Sequence, residues 1–280
     1  MEITETSGNK DIFPSLLTLL NNNLKPNNSI QDLHTIMRKI TTTIISFFFL
    51  VNIFGQNKDS SLKISHLTGD FYVFTTYNLY KGSPVPANGM YLLTNKGVVM
   101  IDSPWDTTQF QPLLDSIKAK HNMSVVLCIA THFHEDRTGG LEYYRQQGIR
   151  TYTTKQTDEL SAKRGMKRAE FLVDKDTVFT IGQYSFQTYY PGHGHAPDNI
   201  VIWFEKEKIL YGGCLIKSMD DNTLGNLGDA SIQDYASTIR NVQQKCRNPK
   251  FIIPGHNDWT NTGSLKHTLE MAEELKKSSH

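Results

Sequence analysis

The sequence predicts an α/β chain in which two mixed β-sheets pack face to face, with helices on their outer sides. Three observations predict it. Strand-like and helical runs are mixed in both halves of the chain, which suits layered sheets and helices. After about residue 60 no linker-type segment and no repeat interrupts the sequence, so one continuous domain is expected there. At 280 residues the chain is long enough to bury a substantial core.

Taken in order, LKISHLTG, DFYVFTTYNLY, GMYLLTNKG and VVMIDSPW read as strands, with a hairpin turn at TNKG. KGSPVPANG, between Tyr80 and Met90, reads as a proline- and glycine-rich hairpin loop that overhangs something. FQPLLDSIKAKH and GGLEYYRQQG are expected as helices, VVLCIATH as a buried strand and RTYTTK as a strand. In the second half FLVDKDTVFTIGQYSFQTYYPG and NIVIWFEKEKILYGG read as hairpins, SIQDYASTIRNVQQKC as a helix and FIIPGH as a buried strand. GSLKHTLEMAEELKKSSH closes the chain as an amphipathic helix. The passage between the halves falls around residues 168–175.

Upstream lies a different kind of sequence. From Met37, MRKITTTIISFFFLVNIFGQNKDSS has a basic start (Arg38, Lys39), an apolar stretch from Ile40 to Phe54 and a small residue, Gly55. That layout is a secretory signal peptide, and its apolar stretch is shorter than the roughly 20 residues of a membrane-spanning helix. The expected organisation is therefore an upstream or non-native segment over 1–36, a signal peptide over 37–55 and a single domain over 56–280. The alternative is a short cytoplasmic tail on an uncleaved anchor. Export implies the periplasm and no stable membrane association after cleavage.

Charge is nearly balanced, with 29 basic against 28 acidic residues, and no basic stripe supports a nucleic-acid partner. Three scattered cysteines (Cys128, Cys214, Cys246) make no disulfide framework. Cys128, inside VVLCIA, reads as a small buried hydrophobe.

The chemistry concentrates where apolar runs give way to glycine-bearing loops. THFHEDRTGG places His132, His134 and Asp136 at alternate positions. Side chains two apart diverge on a helix but share one face of an extended segment, so three metal-type ligands are expected together at a strand end. YYPGHGHAPDN brings His193 and His195, YGGCLIK brings Cys214, and FIIPGHNDW brings His256. Each motif alone also has a bland reading as capping, turn or core. Their joint occurrence gives six potential ligands: His132, His134, Asp136, Cys214, His256 and one histidine of the 193/195 pair. A structural zinc takes four protein ligands and a catalytic zinc three plus water, so six donors suit two open sites. A serine mechanism finds little support: Ser60-Ser61-Leu62-Lys63 fits SxxK, but no KTG or SDN partner accompanies it.

In this order and at these separations, THFHEDRTGG, PGHGHAPDN, YGGCLIK and PGHNDW resemble a subclass B1 metallo-β-lactamase. The tone of the surrounding segments is nearest the chromosomal enzymes of flavobacteria. The resemblance covers roughly residues 62–277. Arg137 stands where related hydrolases of the fold carry a further histidine, and Cys214 supplies the thiolate that those relatives lack. The resemblance implies an αββα sandwich and two Zn²⁺ per chain. It assigns His132, His134 and His195 to the first zinc, and Asp136, Cys214 and His256 to the second. Its implied activity is hydrolysis of the β-lactam amide of penicillins, cephalosporins and carbapenems by a metal-bound hydroxide that Asp136 orients, giving antibiotic resistance. Lys217 matches a lysine for the substrate carboxylate, and Asn226, in LGNLGDA, an asparagine near the lactam carbonyl. Ala196 departs from the pattern, since threonine is common there. Arg137, Thr131 and Asp102 are expected to orient the ligand loops, and the 81–89 loop to close over substrate with little apolar grip beyond Val85. A monomer is expected. The alternatives are a thioester or phosphodiester hydrolase of the same fold, which Arg137 and Cys214 disfavour, and an exported zinc-binding protein without turnover.

Overall fold

Apolar alternation sets the layers of the molecule. The computed structural model describes residues 62–279, so the 1–36 segment, the 37–55 signal and Ser60 and Ser61 lie outside the described residues. The strands are β1 (Leu62–Thr68), β2 (Phe71–Tyr80), β3 (Ser83–Thr94), β4 (Gly97–Ile101), β5 (Val125–Ile129), β6 (Arg150–Thr154) and β7 (Phe171–Val173). They form one sheet in sequence order, antiparallel from β1 to β4 and parallel from β4 to β7. The second sheet runs β12 (Phe251–Pro254), β11 (Ile209–Gly213), β10 (Val201–Phe204), β9 (Tyr184–Tyr189), β8 (Val178–Ile181), with β11 and β12 parallel. Six helices accompany them: α1 (Phe110–His121), α2 (Glu135–Thr138), α3 (Leu141–Gln146), α4 (Lys155–Arg164), α5 (Tyr235–Lys245) and α6 (Ser264–Ser278).

Along β4, Val99 and Ile101 point into a core shared with Ile202, Phe204, Tyr211 and Ile253 of the second sheet. Their neighbours Val98 and Met100 point the other way, onto Leu113, Ile117, Leu141 and Tyr144 from α1 and α3. The second sheet repeats the device. Ile202 and Phe204 face inward, while Val201 and Trp203 pack with Tyr235, Ile239, Val242 and Leu265 of α5 and α6. A period of two on strands buried on both faces thus makes a four-layer α–β–β–α sandwich.

Two local expectations need correction. KGSPVPANG is no loop: β2 and β3 pair to their tips, Tyr80 against Ser83, around a two-residue turn at Lys81-Gly82. Both turn residues have positive φ (51° and 81°), the conformation whose twist matches a tight hairpin. Pro84 and Pro86 are tolerated because β4 pairs only with Met90–Thr94, leaving this part of β3 at an edge. Residues 171–173 likewise join β6 in the first sheet and make no hairpin with β8. The chain passes between sheets after Val173. Among the described residues, no helix is long and apolar enough to cross a membrane.

Candidate metal centre

The ligand-type residues gather where β5, β9, β11 and β12 end, with His195 in the segment between β9 and β10. They do not share one extended segment as the alternate spacing suggests. After β5 the chain bends at residues 131–134, His134 precedes α2 in extended conformation (φ −64°, ψ 153°), and Asp136 lies in the first turn of α2. The turn is what makes convergence possible. Four residues of strand would set Asp136 about 13 Å from His132, whereas donor atoms of His132, His134 and Asp136 all lie within 4.8 Å of one another.

Two triads result. His132 Nε2 and His134 Nδ1 lie 3.0 Å apart, and His134 Nδ1 is 3.2 Å from His195 Nε2. Cys214 Sγ lies 3.3 Å from both Asp136 Oδ2 and His256 Nε2, which are themselves 3.1 Å apart. Tetrahedral zinc with bonds of roughly 2.0–2.3 Å sets ligand atoms about 3.3–3.7 Å apart, so the spacings in both triads fall slightly short of that geometry. The two adjoin, since His132, His195 and Cys214 also present atoms within 4.8 Å of one another. Gly255 lets the strands approach: a Cβ there would meet the Cys214 amide nitrogen at 2.7 Å and Sγ at 2.9 Å.

The far side of most rings is engaged. His256 Nδ1 is 2.9 Å from the Pro86 carbonyl and His134 Nε2 is 3.1 Å from Asp229 Oδ2, so each presents its other nitrogen to the centre. His132 Nδ1 has the Thr131 hydroxyl at 3.4 Å. His195 Nδ1 is buried without a hydrogen-bond partner among the described residues. Burial, reinforced by neighbouring positive groups, holds His132 and His195 well below the ordinary imidazole range, so both rings are neutral donors.

Arg137 is the hub of the other triad. Fully buried, it donates to the carbonyls of Asn88 (2.7 Å) and Gly255 (2.9 Å) and meets Asp136 Oδ2 at 3.0 Å and Asp102 Oδ2 at 3.5 Å. Burial pushes the Asp136 carboxyl up, but Arg137, His256 and His132 together outweigh it and hold it well below the carboxylate range. Asp102, pushed up to about 6 by burial against Arg137, Tyr211 and Thr131, accepts from the Thr131 amide at 2.8 Å and braces the loop before His132. Burial raises the Cys214 thiol, with Arg137 opposing.

A cleft of about 320 Å³ opens above both triads. Lys217, Asp221 and Asn226 line one side, and Tyr80, Val85 and Trp105 the other. Buried Lys217 donates from Nζ to the Cys214 carbonyl at 2.7 Å. Val85 is the residue that the 81–89 segment brings to the cleft, and Tyr80 and Trp105, outside that segment, add two aromatic rings 6.2 Å apart. Asp229 is the residue sequence reasoning missed. It sits three places after Asn226 in the quoted LGNLGDA, but nothing in one sequence marks that acid as a partner for His134. His193 belongs to neither triad and lies 2.8 Å from the Asp229 carbonyl through Nε2.

A family profile described as the Metallo-beta-lactamase superfamily matches residues 82–256. The chain belongs to that family. It is 44% identical over 224 residues to a metallo-beta-lactamase type 2 of Elizabethkingia meningoseptica, covering 80% of this chain and 90% of that one. It is 37% identical to metallo-beta-lactamase IND-1 of Chryseobacterium indologenes, covering 80% and 96%. The crystal structure of metallo-beta-lactamase IND-7 superposes with a TM-score of 0.74 at 37% identity, covering 78% of this chain and 100% of that one. A metallo-beta-lactamase from Pontibacter korlensis gives 0.74 at 33% identity, covering 76% and 99%. The B1 kinship with flavobacterial enzymes read from the four motifs holds, as does the sandwich that it implied. The chain is a metal-binding hydrolase.

Proposed function

We propose that this enzyme hydrolyses the amide bond of β-lactam antibiotics with two zinc ions held side by side. The observation that carries the reading is a pair of adjoining three-donor sets beside one cleft, each one donor short of a closed structural site. His132, His134 and His195 hold one ion, and Asp136, Cys214 and His256 the other. Zinc, when bound there, supplies Lewis acidity toward the lactam carbonyl and a water that ionises near neutral pH. The chain positions everything else. Asp136, kept ionised by Arg137, accepts a hydrogen bond from the nucleophile and aims it. Lys217 pairs with the carboxylate of the drug as a point charge, and the Asn226 carboxamide reaches toward the lactam carbonyl. Tyr80, Val85 and Trp105 cover apolar substituents and keep bulk water off the ring.

Penicillins, cephalosporins and carbapenems all carry the carboxylate that Lys217 recognises, so all three classes are proposed substrates and resistance the consequence. The signal-type segment over 37–55 supports export to the periplasm, with a mature monomer starting near Gln56 and free of the membrane. N-terminal sequencing of the exported protein checks that start; retention of residues 1–36 contradicts it. Turnover of a carbapenem and a cephalosporin, with and without a chelator, tests the activity. Zinc-loaded protein that opens neither ring rejects the proposal. Lys217→Ala should raise KM about tenfold or more, with a smaller change in kcat.

A further inference from the structure

Beyond the two triads, one chain of contacts runs from the rim of the cleft outward to the protein surface. His134 Nε2 meets Asp229 Oδ2 at 3.1 Å, and the second oxygen of the same carboxylate, Oδ1, accepts from Arg164 NH2 at 2.8 Å. Arg164 is the last residue of α4, and its guanidinium lies over the ring of Phe133, 5.8 Å from the centroid. It therefore touches both supports of His134: the acid behind the imidazole and the residue before it in the chain. We propose that Arg164 is a positioning residue that locks Asp229, and through it His134, in the orientation that presents Nδ1 to the three-histidine site.

The argument is one of hydrogen-bond polarity. An arginine only donates and stays charged at any working pH. The ionised Asp229 carboxylate only accepts, and with Oδ1 committed to Arg164 its plane is fixed with Oδ2 facing the ring. His134 must then carry its proton on Nε2, leaving the Nδ1 lone pair for the centre it shares with His132 and His195. Without Arg164, the carboxylate is free to turn about its Cβ–Cγ bond; either oxygen still accepts from Nε2, but the ring loses the restraint on its tilt. The Arg164 side chain is 52% exposed, whereas Asp229 and His134 are each 19% exposed. An ion pair so open to water contributes little to global stability. Its contribution is directional.

The inference rests on the proposed ligand role of His134, and its test separates the two. In Arg164→Ala, competition with a chromophoric chelator should show the three-histidine site weakened about three- to tenfold, one step further out than partners whose loss costs roughly 10–100-fold. Arg164→Lys, which keeps the charge but not the planar fork, should fall between. With cobalt in place of zinc, the thiolate charge-transfer band that reports Cys214 should titrate unchanged. The melting temperature of the metal-free variant should match that of the parent. In the metal-free protein, ¹⁵N shifts of the His134 ring should show Nε2 protonated, and the crystal structure of Arg164→Ala should show the Asp229 carboxylate turned and the ring tilted. The proposal is overturned by unchanged affinity at the three-histidine site, by equal losses at both sites together with a lower melting temperature, or by a parent ring protonated on Nδ1. A parent that binds no metal, with the Asp229 carboxylate turned and the His134 ring tilted in Arg164→Ala, removes the ligand reading and leaves the clamp standing.

Discussion

The two halves of the metal centre are held in opposite ways. The Asp136–Cys214–His256 side is organised from within by a fully buried cation, Arg137, which reaches Asp136 and the carbonyls of Asn88 and Gly255 at once. The three-histidine side has two buried neutral rings, His132 and His195, and its outermost ring is held from the rim by Asp229 and Arg164. One side is a charge problem solved in the interior. The other is an orientation problem solved near the surface. The difference teaches where each side is vulnerable: the first through the fold, the second through geometry alone.

The sharpest way to break the comparison is Arg137→Ala. It strands Asp136 and Asp102 beside two carbonyls that no longer have their donor, all with little access to water. Removing one partner from such a buried network costs about 3–5 kcal/mol, so chemical denaturation should show a loss of that size. An equivalent loss in Asp229→Asn would erase the asymmetry. Cys214→Ser comes next. It exchanges a soft thiolate for a weakly acidic hydroxyl and should weaken the second ion by more than about a hundredfold while sparing the three-histidine site. Two-metal stoichiometry retained at low zinc would contradict the assignment.

Much of this arrangement is legible in the sequence, and the reasons are physical. Strand-end glycines followed by histidine or cysteine mark His195, Cys214 and His256, because only a turn without side-chain bulk lets such ligands approach across two sheets. Gly255 against Cys214 is the direct case. The sandwich is visible as period-two burial on β4 and β10. Alternate spacing misleads for His132, His134 and Asp136, because a strand reading ignores the helical turn that Arg137 draws into the interior. KGSPVPANG misleads in the same way: glycine and proline signal a turn, but the positive φ of Lys81 confines it to two residues. Asp229 and Arg164 are invisible in one sequence because their partner, His134, lies 95 and 30 positions away, with no local pattern joining them.

The comparison also makes a pH prediction with a defined sign. Burial raises the Cys214 thiol above its ordinary value, so a metal entering that side displaces a proton from sulfur, while Asp136 is already ionised. Binding that releases one proton strengthens as pH rises, by about tenfold per unit, as long as the thiol remains protonated in the free protein. His132 and His195 are held well below their ordinary range and release none. Between about pH 7 and pH 9, the affinity of the thiolate side should therefore climb roughly a hundredfold, more steeply than that of the three-histidine side, where the two buried rings release no proton. Chelator competition at several pH values separates them, and parallel slopes would show that the two sides are not electrostatically distinct.

The smallest effect expected is that of Asp229→Asn, and its cause differs from that of Arg137→Ala. The amide keeps the shape of the carboxylate but turns one acceptor into a donor. Arg164 accepts nothing, so the amide oxygen is drawn to the guanidinium and the NH₂ faces His134 Nε2. The ring then has to accept at Nε2 and carry its proton on Nδ1, where the metal binds. The three-histidine site should lose about tenfold in affinity, with little change in melting temperature because Asp229 is partly exposed and the fold does not hang on it. Asp229→Glu, which keeps two acceptors on a longer stem, should recover part of that loss. If Asn and Glu behave alike, length matters more than hydrogen-bond polarity, and the rim holds His134 by packing alone.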